Sequence, residues 1–148
     1  MMVNRKLTGL LLIVMMLVAA GCGVVDQARQ TLDYATASTD YLQSLDQFGQ
    51  DVNALAEKAV NDVDARTDLK QKLLDMKEDV VQFGELQAPE YAKDIHNSVV
   101  SYNAQLEQGI DKALASIEQG KVAIEETGIP ATLNKLNELL NQINQLSP

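Results

Sequence analysis

One cysteine, Cys22, and one histidine, His96, are the only thiol and imidazole ligands in the 148 residues. A zinc site draws on several such side chains, so one of each does not make one. A di-iron bundle needs Glu-x-x-His pairs, and Lys93 stands three residues before His96. Asp62-Val63-Asp64 has the opening spacing of a calcium loop. The fifth, sixth and twelfth places then hold Arg66, Thr67 and Leu73, where a ligand, a glycine and a glutamate are required. A Ser-His-Asp triad would have to use His96, and Ser98 and Ser101 lie too near it on one helix. The 21 acids offer many carboxylate pairs, but nothing selects one, and no Trp is present to stack on a sugar. Gly-rich phosphate loops and Gly-x-Ser-x-Gly elbows are absent. His96 adjoins Ile95 of an apolar seam and reads as a surface or boundary residue. Tyr102 falls on a seam, while Tyr34, Tyr41 and Tyr91 read as covers for bundle ends with wet hydroxyls. The chain is therefore expected not to be an enzyme and to need no metal or cofactor.

Cys22 has the surroundings of a modification site. Arg5 and Lys6 make a basic start, and Leu7 to Ala20 is apolar except for Thr8 and Gly9. That stretch is shorter than the ~20 residues of a comfortable membrane span. Ala19-Ala20-Gly21 then supplies small residues, which completes an export signal. Val18-Ala19-Ala20-Gly21-Cys22 resembles the lipobox of bacterial lipoproteins, with Ala19 where the consensus favours Leu. The resemblance implies a diacylglyceryl group on the Cys22 thiol and cleavage between Gly21 and Cys22. Residues 1–21 would be a lipoprotein signal peptide, and the only thiol would be consumed as a thioether. Two acyl chains hold a protein firmly at a bilayer where one is marginal.

The charge is −9 and the pI about 4.4, which argues against nucleic-acid binding. Removing Arg5 and Lys6 leaves 10 basic and 21 acidic residues, a charge of −11. Such a surface is repelled by anionic headgroups, so the acyl chains must supply the attachment. A single Cys excludes a disulfide framework, and the length suits one domain.

The chain that must present Cys22, from residue 23 onward, reads as helices. Beyond residue 23 only five glycines and three prolines remain, and no stretch alternates in the manner of a strand. Leu69, Leu73, Met76, Val80 and Phe83 form a 4-3 seam. Ile95, Val99, Tyr102, Leu106, Ile110, Ala113 and Ile117 repeat it, as do Ile129, Leu133, Leu136, Leu140 and Ile143. Leu42, Leu45, Val52, Leu55, Ala59 and Val63 give a looser version. The expected helices run over about 24–60, broken near Ser38-Thr39-Asp40 or Gly49, then 65–83, 89–119 and 130–146. Asp64 is the expected cap of the second helix, Pro89 the first residue of the third, and Gly120 its terminator. The fold class is all-α: an elongated up-down antiparallel bundle of three to four helices after a cleaved lipoprotein signal peptide. Residues 22–40 form the lipidated N-terminus and the start of the first helix, and 41–148 the bundle.

Thr31-Leu32-Asp33-Tyr34, Thr39-Asp40-Tyr41, Phe83, Leu86-Gln87-Ala88-Pro89, Asp94-Ile95-His96 and Ser101-Tyr102-Asn103 with Leu106 resemble segments of small, uncharacterised lipoproteins from Bacillus and its relatives. The resemblance runs through most of the mature chain. It implies export, lipidation and a helical domain, and it brings no activity or site.

The expected function is that of a lipid-anchored, non-enzymatic bundle on the extracytoplasmic face of the cell membrane, binding another envelope protein. The alternative is a module for a small ligand or a cell-wall polymer. Leu74 and Val81, Val100 and Leu114, and Leu139 and Leu146 widen the seams beyond two positions in seven. On the last helix, Leu139 and Leu146 are expected to flank a docking surface.

Overall fold

The computed structural model describes residues 22–146, with side chains from 29 to 145. The signal peptide expected over 1–21, with its cleavage site at Gly21, lies outside the described residues. The described chain forms four helices: α1 (Cys22–Ala59), α2 (Val63–Gly84), α3 (Lys93–Glu118) and α4 (Ile129–Leu146). Short 3-10 turns at Glu90–Ala92 and Glu125–Thr127 precede α3 and α4. No strand occurs among the described residues.

The seams of α2 and α4 are buried throughout, and that of α3 except for Ile95 and Tyr102, which are partly buried. The looser seam expected for α1 is corrected: Leu45, Val52 and Ala59 are buried, Leu42 and Leu55 only partly, Val63 is 72% exposed and opens α2, and Tyr34, Tyr41 and Phe48 complete the buried face. Leu69, Leu73, Met76, Val80 and Phe83 of α2 face Val99, Leu106, Ile110, Ala113 and Ile117 of α3 in one core with α1 and α4. Two of the expected boundaries shift. Asp62, not Asp64, caps α2: its Oδ1 accepts from the Asp64 N–H at 2.9 Å and the Ala65 N–H at 3.2 Å. The turn is tightened further by Arg66, whose Nε and Nη2 donate to the Ala59 carbonyl at 3.2 and 2.9 Å. Pro89 does not open α3. It starts the 3-10 turn, closed by the Ala92 N–H on the Pro89 carbonyl at 2.9 Å, and α3 begins at Lys93.

The first helix is unbroken through both expected breaks. Thr39 turns its hydroxyl back onto the Ala35 carbonyl at 2.9 Å, which keeps it compatible with the helix. Gly49 is a packing site, where an added Cβ would meet Leu133 Cδ1 at 3.3 Å. Gly120 ends α3 as expected, in the left-handed conformation with φ 78°. Its N–H bonds the Ile117 carbonyl at 3.0 Å, and the Lys121 N–H bonds that of Ser116 at 2.9 Å.

Helix pairing is cyclic, with α1 against α2 and α4, and α3 against α2 and α4. Bonds one heptad apart set the register. Lys77 pairs with Asp111 at 2.7 Å and Lys70 with Glu118 at 4.0 Å, so α2 and α3 are antiparallel. The Thr39 hydroxyl lies 3.2 Å from the Asn144 side-chain amide, and Asn137 donates to Asp46 at 2.7 Å, so α1 and α4 are antiparallel. Neighbours thus alternate in direction, and α1 and α3 are parallel across the diagonal. Tyr34 is the first buried side chain of α1 among the described residues. At ~1.5 Å per residue, Cys22 starts the helix about 18 Å before that first core layer.

Candidate functional site

The end of the bundle nearest Cys22 holds polar groups that the seams do not announce. Tyr34 and Tyr41 sit seven residues apart on α1, and His96 and Asn103 seven apart on α3. Because these helices are parallel, the pairs meet in two stacked layers. The Tyr34 hydroxyl lies 3.1 Å from His96 Nδ1, and the Tyr41 hydroxyl donates to Asn103 Oδ1 at 2.7 Å. Phe83 of α2 closes the layers. It stacks on Tyr41 with ring centroids 4.5 Å apart and on His96 at 5.1 Å.

Burial governs the protonation of these groups. His96 is only 7% exposed, and desolvation lowers its pKa from the ordinary 6.5. Tyr34 is pushed up to about 12, mainly by burial, with the Ser38 hydroxyl opposing part of the effect. Ser38 is fully buried, and its Oγ makes no hydrogen bond of good geometry despite lying near Tyr34. Burial also raises Tyr41 well above the tyrosine range, partly offset by Asn103 and reinforced by the charges of Asp79 and Glu107. At neutral pH all three groups are uncharged. They supply shape and hydrogen bonds, not an acid or a base.

These positions correct the sequence reading. His96 is a buried partner of Tyr34 and not a surface residue, and the hydroxyls of Tyr34 and Tyr41 are not wet. The matching heptads, 34 and 41 against 96 and 103, were the available signal. Reading it requires knowing that α1 and α3 lie parallel across the bundle.

A cleft of about 360 Å³ opens between α1 and α2 over these layers, with Asp40, Tyr41, Asp79, Gln82, Phe83 and Leu86 among its lining residues. A second feature lies on the α2–α3 face. Leu74 and Val81, 46% and 52% exposed, stand one heptad apart on α2. Each stands four residues after a lysine, Lys70 or Lys77, that pairs with α3. Val100, 38% exposed, adds an apolar group on α3. Leu114 and Leu139 are half-buried and packed on the core. Leu146 ends α4, and its side chain lies outside the described residues, as does that of Cys22.

Among the described residues no group of three or more His, Cys, Asp or Glu is placed to hold a metal ion. Nor is any helix there long and apolar enough to cross a membrane.

Residues 34–146 match a family described as "Family of unknown function (DUF6376)", and the chain belongs to that family. It is also similar to the "Uncharacterized lipoprotein YybP" of Bacillus subtilis (strain 168). The two are 30% identical over 134 residues, covering 88% of this chain and 90% of the relative. No solved structure matches the chain.

Proposed function

We propose that this member of the family is a non-enzymatic helical bundle, anchored through acylated Cys22 on the extracytoplasmic face of the cell membrane, that docks another cell-envelope protein. The leader pattern that ends at Gly21, directly before Cys22, and the similarity to a lipoprotein support the anchor. The single observation that carries docking is the exposed pair Leu74 and Val81. A lone exposed apolar residue is ordinary; one heptad apart on one helix face, these two offer an apolar strip. The ion pairs of Lys70 and Lys77 border it, a polar rim of the kind that surrounds interface cores. The end of α4, where Leu139 is half-buried against the core, is the second edge we assign to the same partner, as the sequence pattern of Leu139 and Leu146 suggests.

Photocrosslinking in intact cells tests the reading. A crosslinker replacing Val81 should give a discrete adduct, while one replacing Gln71, on another face of α2, should not. A crosslinker replacing Leu139 reports whether the α4 edge takes part. No adduct from either 81 or 139, or equal adducts from 81 and 71, would overturn the docking proposal.

The alternative reading, a ligand-binding module, rests on a separate observation, the α1–α2 cleft.

A further inference from the structure

The α1–α2 cleft has the ingredients of a site, and its carboxylates have no cationic partner among the described residues. Its base is the stacked pair Tyr41 and Phe83, held rigidly because Tyr41 is bonded to Asn103 and Phe83 is backed by His96. Leu86 extends the apolar surface, and Gln82 adds a neutral polar group. Asp40 of α1 and Asp79 of α2 stand on the two walls. The neighbouring carboxylates of α1 and α2 are treated differently: Asp51 of α1 is paired with Lys72 of α2 at 3.0 Å. Asp40 and Asp79 have no cationic partner among the described residues.

Two carboxylates lining one cleft with an aromatic and aliphatic base select one ligand chemistry. An anion is repelled, and a neutral apolar group leaves both charges uncompensated. A cation with an apolar stem satisfies both, through charge-assisted hydrogen bonds to the walls and stem contact with the base. The volume of about 360 Å³ suits a group of lysine side-chain size and is at the low end of ligand pockets. We propose that this cleft is a binding site for an alkylammonium group on a short apolar stem, held between Asp40 and Asp79 over Tyr41 and Phe83. The site is on the α1 side of α2, away from the strip of Leu74 and Val81. It goes beyond the docking reading and stands or falls separately from it.

The test is amide chemical-shift titration of the full chain in detergent micelles at ~0.15 M salt, where diffuse attraction to exposed charges is screened beyond ~8 Å. The probes are n-pentylammonium and Nα-acetyl-lysine methylamide, with n-pentanol and n-pentanoate as controls. Saturable shifts confined to residues around Asp40–Ser44 and Asp79–Leu86 are expected from the two cations only. The double variant Asp40→Asn and Asp79→Asn should bind them about tenfold more weakly, as loss of two modest ion pairs implies. Equal binding of the two cations assigns a free amine as the natural source, and tighter binding of the lysine derivative assigns a protein side chain. Linear shifts spread over the acidic surface would overturn the proposal. So would equal binding of n-pentanol, or undiminished binding by the double variant with its fold intact by circular dichroism.

Discussion

Replacing Tyr41 by Phe removes one oxygen and nothing else, so its cost isolates the polar layer nearest the cleft. That hydroxyl donates to Asn103 Oδ1 at 2.7 Å in a site where both residues are buried. The other end of the Asn103 amide, Nδ2, makes no hydrogen bond. Tyr41→Phe therefore strips Asn103 of its side-chain partner and leaves the whole amide dry. A buried polar group left unpaired costs about 1–3 kcal/mol, more than the net value of the bond itself. Asn103→Leu has a similar cost, because it orphans the Tyr41 hydroxyl. The double variant removes donor and acceptor together and should come close to the native stability, or exceed it, since the unpaired Nδ2 goes too. The coupling between the sites is then of the same order, about 1–3 kcal/mol, with the double variant more stable than the sum of the singles. Urea melts of all four proteins measure it, and thermal melts should move by roughly 4 °C per kcal/mol at this length. Strictly additive losses would refute the claim that the two residues form one polar layer.

Neighbouring features carry further expectations. His96 binds its proton only below the ordinary 6.5, so between that value and its folded pKa the unfolded chain holds more protons. Stability should fall as pH drops through 6.5 and then level off, and His96→Gln should flatten this dependence in urea melts at several pH values. Tyr34 has the opposite sense: raised to about 12 from 10.0, it should cost stability as pH climbs through that window, and Tyr34→Phe should reduce the loss. Two glycines should respond with opposite sign. Gly109→Ala places a Cβ 3.0 Å from Ile129 Cγ1 and 3.1 Å from the Thr127 carbonyl oxygen. Overpacking of about 1–3 kcal/mol should outweigh the ~1 kcal/mol gain in helix propensity. Gly84→Ala meets nothing within 4 Å and should stabilise by about 0.5–1 kcal/mol. Thermal melts of the two variants check both signs.

The helices were legible because each seam is a local pattern. The 4-3 spacing of Leu69 to Phe83 or Ile129 to Ile143 states which face is buried without reference to any other segment. Boundaries were less legible where two acids competed. Asp62 and Asp64 are both good caps, and the choice is settled by Arg66 reaching back to the end of α1. The polar layers were least legible, because they depend on which helices face each other. His96 beside Ile95 looks like a boundary residue until Tyr34, 62 positions earlier, is placed across from it. The cleft was hidden for the same reason: Asp40 and Asp79 look like members of ordinary solvated faces, and only the α1–α2 pairing sets them over Tyr41 and Phe83.

Everything proposed about where this bundle works depends on one thioether. Metabolic labelling with an alkyne fatty acid, then capture of the protein from intact cells, reads that bond directly. The account predicts label on the wild-type chain and none on Cys22→Ser, with the variant lost from the membrane fraction. Equal labelling of the two, or an unlabelled wild type, would contradict it.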